Sequence, residues 1–369
     1  MEEMFNYADQ LGPEKIIHLY QPDLDLKAVL VVDNTAAGPA LGGMRMAADV
    51  TTEECVRLAR AMTFKNAAAG LAHGGGKLVV LADPKMAKPA KERLIRALAK
   101  SLAEVEEYIF APDMGTDEQC MAWVKDEIDR VVGLPKEVGG IPLDEIGATG
   151  WGLFRVAEIA AEFCHLPLAG ARLVIQGFGA VGKHTARFLA DKGTLLVGVA
   201  DSRGALYDPT GLDVEALIRL KETGAGVIDF AEGKKLDREA VIDLECDIWI
   251  PAARPDVIHQ GNVSRLKTKL VIEGANIPFS HEAENILHQQ GILCVPDFIA
   301  NAGGVICAAM EYQGACESAA LQTITEKISA NTRTVLERSR EQQITPREAA
   351  QELALNRIVK AMSYRRWSQ

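Results

Sequence analysis

A glycine-rich segment in the second half of the chain has the pattern that binds the phosphates of a dinucleotide. Residues 177–182 read GFGAVG, with an apolar segment before them at 173–175 and a helical pattern after them at 183–191. In this context the first glycine permits a tight turn, the second lets the backbone approach a pyrophosphate, and the third allows close helix–strand packing. The phosphates would lie at the helix N-terminus, where free N–H groups favour an anion. The predicted contacts are Gly177, Phe178, Gly179, Ala180, Val181 and Gly182.

An acidic residue at the end of the next apolar segment completes this pattern. Asp201 follows residues 195–200 and lies 19 residues after Gly182. A carboxylate at this place accepts a hydrogen bond from the ribose 2′-hydroxyl and repels a 2′-phosphate, so the sequence predicts NAD as the cofactor rather than NADP. Arg203 would soften that preference, because its positive charge attracts a phosphate. The alternative interpretation is a tight turn followed by a surface aspartate.

A second glycine-rich segment ends in a lysine. Residues 74–77 read GGGK and lead into an apolar segment. They are not a phosphate-binding P-loop, because Leu71 and Leu78 stand where that motif needs glycine and serine or threonine. Three glycines would bring the backbone and the Lys77 ammonium close to a small ligand, and burial disfavours the charged form of a lysine, which turns it into a base. Taken alone, the segment is more typical of a turn in which the lysine is exposed to solvent.

The composition excludes several functional classes. The 369 residues are 48% apolar and 25% charged, which is enough to bury sizeable cores, and the net charge of -11 argues against a general binder of nucleic acid or anionic membranes. The 7 cysteines include no C-x-x-C pair, so we expect no metal site and a reducing, cytoplasmic location. We expect neither a signal peptide nor a membrane span, because the first residues lack a basic segment followed by an apolar stretch and no apolar run is long enough.

The elements that must position these residues begin with mixed strands and helices. Apolar segments at 27–33 and 78–82 predict strands. Thr51 and Glu54 have the spacing of a capping box and predict a helix that runs to about residue 69. A second amphipathic helix is predicted at 89–108, followed by a turn at 111–115.

The second part of the chain has a different rhythm. From residue 171, short apolar strands alternate with helical stretches, which predicts a parallel, doubly wound sheet. The predicted fold is therefore α/β with two domains. The first covers residues 1–148, the Rossmann-type dinucleotide-binding domain covers 149–330, and C-terminal helices at 331–369 pack back on the first domain.

Five segments that could do chemistry stand in a fixed order along the chain. They are GPALGGMRM at 38–46, the stretch 62–77, APDMGT at 111–116, the fingerprint at 176–182, and NAGGV at 301–305. Together they resemble the motifs of the glutamate/leucine/phenylalanine/valine dehydrogenase family, and length and the first motif are nearest to leucine dehydrogenase. The resemblance spans nearly the whole chain. It implies a substrate and oligomerisation domain followed by the dinucleotide domain, an active site in the cleft between them, and a catalytic rather than a surface role for Lys77.

The resemblance implies roles for three charged residues. Lys65 matches the lysine that pairs with the substrate α-carboxylate, and Lys77 the lysine that polarises the attacking water and the carbinolamine oxygen. Asp113 matches the acid/base that handles the amino-group proton. This suits the chemistry, because water that attacks an imine carbon needs a general base and a nearby cation. The alternatives are a turn or cap residue at Asp113 and a solvated helix end at Lys65.

Further contacts are implied in the same way. Thr149 resembles a contact to the nicotinamide amide at the domain junction. Ala252, Asn276 and Asn301 resemble cofactor-side and substrate-side contacts that close the cleft. The predicted substrate-binding residues are Lys65, Leu41, Gly42, Val305, Ala308 and Asn301.

The side-chain pocket is predicted to be apolar. In glutamate dehydrogenases of the family, a lysine and a serine hold the side-chain carboxylate of the substrate; here these positions are Leu41, directly before Gly42, and Ala308, three residues after Val305. An unpaired buried carboxylate would cost on the order of several kcal/mol, so a branched aliphatic substrate such as leucine or valine is expected, with phenylalanine next. Alternatively, Leu41 and Ala308 belong to a core.

Two other segments point away from leucine dehydrogenase. Residues 273–278 and 310–312 look more like the corresponding segments of glutamate dehydrogenases than those of leucine dehydrogenases.

The sequence as a whole predicts a reversible, NAD-dependent oxidative deamination of an L-amino acid to its 2-oxo acid with release of ammonium. No metal is implied, and the resemblance suggests a homo-oligomer, an octamer or a hexamer. The alternatives are a phenylalanine or glutamate dehydrogenase of the same family, a two-domain oxidoreductase of the shikimate or malate type, and a catalytically silent NAD-binding regulator.

Overall fold

The computed structural model describes residues 5–365 and divides the chain into two compact units. The first unit runs from the start of the described chain to Leu143, and it also contains residues 305–320 and the described chain from Gln351 onward. The second unit consists of residues 144–304 and 321–350. The chain therefore passes between the two units four times.

These units differ from the predicted domains in three places. The chain first crosses into the second unit after Leu143 rather than after residue 148. Residues 305–320 belong to the first unit, and residues 331–350 belong to the second. The reason is side-chain packing that no local pattern reveals. Ala308 and Ala309 pack into an apolar cluster of the first unit, whereas Arg347 pairs with carboxylates of the second unit.

The first unit contains a five-stranded sheet. Its strands are β1 (Lys15–Gln21), β2 (Leu26–Asn34), β3 (Ala40–Ala47), β4 (Gly74–Leu81) and β5 (Tyr108–Pro112). Their order is β1–β2–β4–β3–β5, with β3 parallel to both β4 and β5, and β2 antiparallel to β1 and β4. Seven of the eight residues of β4 are buried, because both faces of this inner strand are covered.

Three helices of the first unit follow these strands: α1 (Thr52–Ala68), α2 (Lys88–Ser101) and α3 (Glu118–Glu127). The side chain of Thr51 accepts a hydrogen bond from the Glu54 N–H over 3.1 Å, which satisfies a free donor at the start of α1 as the capping pattern predicts. The prediction of a helix as far as residue 108 is wrong. Tyr108 begins β5, where its ring is fully buried against Phe110.

The second unit contains a seven-stranded sheet in the order β12–β11–β10–β6–β7–β8–β9. Its strands are β6 (Arg172–Gln176), β7 (Leu195–Asp201), β8 (Gly204–Tyr207), β9 (Lys234–Leu236), β10 (Ile248–Pro251), β11 (Leu270–Ile272) and β12 (Leu293–Val295). The five strands from β12 to β7 are parallel, whereas β8 and β9 add an antiparallel edge that the sequence pattern did not indicate. The predicted fold class, α/β with a Rossmann-type domain, is confirmed.

The remaining helices are α4 (Ala148–Phe163), α5 (Ala180–Ala190), α6 (Val214–Glu222), α7 (His281–Gln289), α8 (Asp297–Ala300), α9 (Gly303–Tyr312), α10 (Glu317–Gln342) and α11 (Pro346–Met362). The last three of these helices each contain residues of both units. Within residues 5–365, none of the helices is long and apolar enough to cross a membrane.

Candidate active site

Three charged side chains of the first unit meet at one carboxylate oxygen. Lys77, on β4, pairs with Oδ2 of Asp113, which directly follows β5. The Nε of Arg45, on β3, donates to the same oxygen over 3.2 Å. Lys77 is only 5% exposed, so it is not a surface turn lysine. The fold thus brings together Lys77 and Asp113, which lie 36 residues apart in the sequence.

Two glycines of β3 make room for this ion pair. Met44 pairs with Leu78 of β4 and with Pro112 of β5, so β3 lies directly between the two strands that supply Lys77 and Asp113. A Cβ added at Gly43 would lie 2.8 Å from the Asp113 Cβ and 3.3 Å from the Lys77 Nζ. A Cβ at Gly42 would lie 1.8 Å from the Gly76 carbonyl oxygen. Any larger residue would therefore push the strands or the charged groups apart.

The electrostatics of the site keep Asp113 ionised. Burial by itself would raise the pKa of Asp113, but the positive charges of Lys77 and Arg45 outweigh this effect and hold the pKa below its usual value. Arg45 is fixed in turn by Glu54 of α1, whose Oε1 accepts from Nη1 over 2.6 Å. Sequence reasoning did not single out Arg45, although a lone charge in the apolar strand 40–47 was a usable signal.

Lys65 lies in the last turn of α1, which packs on β4. The Nδ2 of Asn66 donates to the Gly74 carbonyl over 2.6 Å and to the Leu41 carbonyl over 3.2 Å, which ties the end of the helix to β4 and β3. A Cβ at Gly75 would lie 2.0 Å from the backbone nitrogen of Thr63. The helix that carries Lys65 is therefore fixed directly against the strand that carries Lys77.

The predicted pocket residues Leu41, Val305 and Ala308 lie in one apolar cluster of the first unit. Its buried members are Leu41, Ile109, Val132, Ala308 and Ala309, and the partly buried Leu71, Ala111 and Val305 pack against them. Leu41 is 1% exposed and Ala308 8%. The fold thus assembles side chains that lie far apart in the sequence, in an environment of hydrocarbon.

A buried glutamate supports one wall of this cluster. The two carboxylate oxygens of Glu311, on α9, accept from the backbone N–H groups of Leu134 at 3.1 Å and Ile141 at 2.9 Å. These contacts fix the segment that follows Val132. Sequence reasoning did not identify Glu311, because its partners are more than 160 residues away and no local spacing marks them.

The dinucleotide turn lies between β6 and α5 of the second unit. Gly177 has a φ of +104°, and a Cβ there would lie 2.7 Å from the Ala252 carbonyl group. A Cβ at Gly182 would lie 1.9 Å from the Gly177 oxygen, whereas a Cβ at Gly179 would meet no atom within 4 Å. The turn is thus tight on its inner side and open at Gly179, where α5 begins. The ring of Phe178 is buried, so this residue offers a ligand only its backbone.

Asp201 ends β7, and its carboxylate already accepts three hydrogen bonds. Oδ2 accepts from the Lys221 Nζ at 2.7 Å and from the Val227 N–H at 2.9 Å, and Oδ1 accepts from the Arg203 N–H at 2.8 Å. Burial opposes ionisation of Asp201, but these donors outweigh it and lower its pKa. The guanidinium of Arg203 donates to the Gly224 carbonyl over 2.9 Å. Lys221 was not singled out from the sequence.

The other predicted cofactor and substrate contacts also lie in the second unit. The Nδ2 of Asn301 donates to Oδ1 of Asn276 over 2.9 Å. The Ala252 N–H donates to the Gln176 carbonyl over 2.7 Å, which places Ala252 beside the glycine turn. A Cβ at Gly304 would lie 3.2 Å from Oγ1 of Thr149. The structure therefore pairs Asn276 with Asn301, and places Thr149 beside the start of α9.

The loop that carries Asn276 rests on a buried charge cluster. Arg347 donates to Glu284 over 2.5 Å and to Glu273 over 2.9 Å, and it lies 3.1 Å from Oδ1 of Asp297. The other oxygen of Asp297 accepts from the N–H of Ile277 over 2.9 Å. Ile277 has a φ of +48°, an uncommon conformation for a β-branched residue. We refer to Arg347, Glu273, Glu284 and Asp297 as the Arg347 cluster.

Comparison with known proteins assigns both parts of the chain. Residues 139–366 match the family model described as glutamate/leucine/phenylalanine/valine dehydrogenase, and residues 13–130 match the dimerisation domain of the same family. The chain is 38% identical to a glutamate dehydrogenase from Aeropyrum pernix over 90% of this chain and 85% of that protein. It is 35% identical to an NAD-specific glutamate dehydrogenase from Staphylococcus aureus, over 91% of this chain and 85% of that protein.

A solved structure shares the architecture. The L-tryptophan dehydrogenase from Nostoc punctiforme is similar with a TM-score of 0.77 and 25% sequence identity, over 97% of this chain and 99% of that one. The two curated relatives are named glutamate dehydrogenases, so they do not support a special likeness to leucine dehydrogenase. The matched motifs, the fold and the two family models agree on the larger group: this chain belongs to the glutamate/leucine/phenylalanine/valine dehydrogenase family.

Proposed function

We propose that the protein is an NAD-dependent L-amino-acid dehydrogenase. It would convert an L-amino acid, NAD⁺ and water reversibly into a 2-oxo acid, ammonium, NADH and a proton. The observation that carries this proposal is the buried contact between Lys77 and Asp113, in a chain that also holds the open glycine turn at 177–182. A cation and an ionised carboxylate at one place are the two groups that proton transfer and water addition require.

NAD suits the residues of the second unit. Gly177 makes the tight turn, the open space at Gly179 exposes the start of α5 to a pyrophosphate, and Asp201 stands at the end of the following strand for the ribose. The NAD-specific relative supports the same cofactor. When bound, NAD supplies the acceptor for the hydride that leaves the substrate Cα.

The residues of the first unit supply the acid–base chemistry. Lys65 would pair with the α-carboxylate of the amino acid and so orient its Cα. Asp113 accepts a proton from the substrate ammonium, because only the uncharged amine can form a C=N bond as hydride leaves. The ammonium of Lys77 stabilises the negative charge that develops on the water oxygen as it adds to the imine carbon. Asp113 releases this first proton to solvent, accepts a proton from the attacking water, and passes it to the nitrogen of the carbinolamine. As the C–N bond breaks, the carbinolamine hydroxyl gives up its proton, the carbonyl forms, and the nitrogen leaves as ammonium.

The first test is turnover with a panel of amino acids. We expect NADH formation, followed by absorbance, with L-amino acids and not with 2-hydroxy acids. The variants Lys77→Ala and Asp113→Asn should lose on the order of 10²–10⁴-fold in rate, because each lacks a group that acts on the substrate. Their affinity for NADH, measured by fluorescence, should be unchanged.

The control is Lys85→Ala, which removes an exposed lysine of the same unit. If Lys77→Ala or Asp113→Asn keeps more than about a tenth of the wild-type rate at saturating substrate, that residue is not part of the mechanism. A wild-type protein that binds NADH but turns over none of the substrates is instead a silent regulator.

Among amino acids, we propose a branched aliphatic substrate such as leucine or valine. Leu41 and Ala308 pack in one apolar cluster, at the two positions where the resemblance implies a lysine and a serine in glutamate dehydrogenases. A buried aliphatic side chain gains about 0.8 kcal/mol for each CH₂ group removed from water. Phenylalanine is the next candidate, and the related tryptophan dehydrogenase gives this family fold a substrate with an apolar side chain.

Glutamate is the second candidate, because both curated relatives described above are named glutamate dehydrogenases. The ratio of kcat/KM for leucine and glutamate distinguishes the two. We expect the wild type to prefer leucine, and the double variant Leu41→Lys/Ala308→Ser to shift the ratio toward glutamate by about 10³-fold. If the wild type prefers glutamate, the apolar-pocket proposal is wrong. If only the variant shift is absent, Leu41 and Ala308 are core residues.

We also propose that the protein assembles into a homo-oligomer, an octamer or a hexamer, in the cytoplasm. The match of residues 13–130 to a dimerisation domain supports assembly. All seven cysteines are free thiols, which suits a reducing compartment. Light scattering coupled to size-exclusion chromatography gives the number of subunits directly.

A further inference from the structure

Arg45 connects the proposed proton carrier to a second carboxylate. Its Nε donates to Oδ2 of Asp113 over 3.2 Å, and its Nη1 donates to Oε1 of Glu54 over 2.6 Å. Its side chain is largely buried on β3, and Glu54 lies in the first turn of α1. The guanidinium therefore divides its donors between one carboxylate inside the proposed active site and one beside it.

We propose that Arg45 is a positioning residue that sets the proton affinity of Asp113, and that Glu54 limits this effect by competing for the same guanidinium. The proposal rests on the proposed function, in which Asp113 carries the amino-group proton. Arg45 itself would not touch the substrate. It acts through Asp113, and Glu54 acts through Arg45.

Two cations from different strands face Asp113. Lys77 approaches from β4 and Arg45 from β3, and both contact the same oxygen, Oδ2. From α1, Glu54 contacts Arg45. An opposite charge within about 4–6 Å typically lowers the pKa of a carboxyl group by 1–3 units, so each cation favours the ionised form of Asp113.

The two cations differ in what the reaction asks of them. Lys77 is expected to turn toward the water oxygen during catalysis, and the support that it gives Asp113 then weakens. Arg45 does not turn toward the water oxygen. It remains charged, because its contacts with Asp113 and Glu54 outweigh burial and raise its pKa. Arg45 therefore keeps Asp113 oriented and ionised while Lys77 acts elsewhere.

Glu54 prevents this stabilisation from becoming too strong. A proton carrier works best when its pKa is near the working pH, and two unopposed cations would make Asp113 too weak a base. The negative charge of Glu54 offsets part of the Arg45 charge, and its 2.6 Å contact is shorter than the 3.2 Å contact of Arg45 with Asp113. The four residues thus form a chain of alternating charge from Lys77 through Asp113 and Arg45 to Glu54.

The test is the pH dependence of kcat/KM in the deamination direction. Activity requires ionised Asp113, so it falls as the pH drops through the pKa of this group. Arg45→Gln should move this acidic limb to higher pH by about one unit, because a stabilising cation is lost. Glu54→Gln should move it to lower pH by a smaller amount. Glutamine retains the backbone N–H that Thr51 caps, so α1 should still start at the same residue.

Two further variants separate this effect from structural damage. Arg45→Lys keeps the positive charge and should return the limb most of the way to its wild-type position. Lys91→Gln removes a cation that holds the same turn through the Gly115 carbonyl at 2.7 Å and does not contact Asp113, so the limb should stay in place. The proposal is overturned if Arg45→Gln lowers the rate without moving the limb, or if Arg45→Gln and Glu54→Gln move it in the same direction.

A direct titration keeps the inference independent of turnover. Infrared spectra of protein labelled with ¹³C-aspartate give the carboxyl band of Asp113, which is identified by its loss in Asp113→Asn. Its midpoint should rise in Arg45→Gln and fall in Glu54→Gln. If the wild type shows no amino-acid-dependent NADH formation, the proposed function fails while these opposite shifts still stand. If turnover is present and neither midpoint moves, the inference alone fails.

Discussion

At the scale of single residues, Lys221 weakens the repulsion that Asp201 would exert on the 2′-phosphate of a cofactor. The ammonium of Lys221 lies 2.7 Å from Oδ2 and offsets much of the negative charge that would repel a 2′-phosphate. The backbone N–H groups of Arg203 and Val227 donate to the same carboxylate. The preference for NAD over NADP is therefore expected to be moderate, and to depend on Lys221 as well as on Arg203.

We predict that Lys221→Met raises the ratio of kcat/KM for NAD over NADP by about tenfold, the equivalent of ~1.4 kcal/mol. Asp201→Asn should lower that ratio, because the repulsion is lost while the lysine remains. Arg219→Met on the same helix removes an exposed charge of the same sign and should leave the ratio unchanged. Equal ratios in Lys221→Met and the wild type would show that the carboxylate acts at full strength despite its partner.

At the scale of elements, the first turn of α11 contributes a cation, Arg347, which pairs with carboxylates of three other segments. Glu273 follows β11, Glu284 lies on α7 and Asp297 begins α8. Three carboxylates on one guanidinium leave an excess of buried negative charge. Burial of Glu273, together with its acidic neighbours, outweighs Arg347 and raises the pKa of Glu273 well above the usual value. Folding thus favours the protonated form of this carboxyl group.

We predict that Arg347→Met lowers the free energy of unfolding by about 3–5 kcal/mol, because it leaves buried carboxylates without a cation. Glu273→Gln should cost little at neutral pH. A carboxyl group whose pKa is raised by folding stabilises the fold at pH values below its pKa in the unfolded chain, and this stabilisation is lost as the pH rises. The free energy of unfolding of Glu273→Gln should therefore increase relative to that of the wild type from about pH 5 upward. Thermal unfolding across pH tests this. If the stability of Glu273→Gln relative to the wild type decreases toward alkaline pH, this prediction is wrong.

Elements with a local signal could be predicted from the sequence, and long-range pairings could not. The cap at Thr51, the glycine turn at 177–182 and the five parallel strands of the second unit depend on neighbouring residues, and the structure contains them. Arg45 and Glu311 act through partners far away in the sequence, which no spacing marks. The resemblance identified Lys77 and Asp113, and only the order of the strands explains why they meet.

At the scale of the whole molecule, residues near the end of the chain support an element near its beginning. Nη1 of Arg357 donates to the carbonyl groups of Ala67 and Ala68 at 3.1 and 2.7 Å. These carbonyls lie at the end of α1, where few backbone donors follow; the Ala67 carbonyl also accepts from the Gly70 N–H over 2.9 Å. Arg357 therefore caps the helix that carries Lys65.

We predict that Arg357→Met raises KM for the amino acid by about tenfold, the equivalent of ~1.4 kcal/mol, because a lost cap frees the last turn of α1. Affinity for NADH should not change, since the dinucleotide turn lies in the second unit. Lys360→Met alters an exposed residue of the same helix and is the matched control. A change in NADH affinity that equals the change in KM would indicate general damage.

The alternating path of the chain has a consequence for synthesis on the ribosome. The second unit has all its residues once Ala350 has been made, whereas the first unit still lacks the part that begins at Gln351. Arg357 is therefore translated long after the α1 carbonyls that it caps. A nascent chain can complete its dinucleotide-binding sheet once Val295 has emerged, but the helix that presents Lys65 gains this cap only after Arg357 has emerged. Helix α1 is thus completed by a residue that the ribosome adds 290 positions after Ala67.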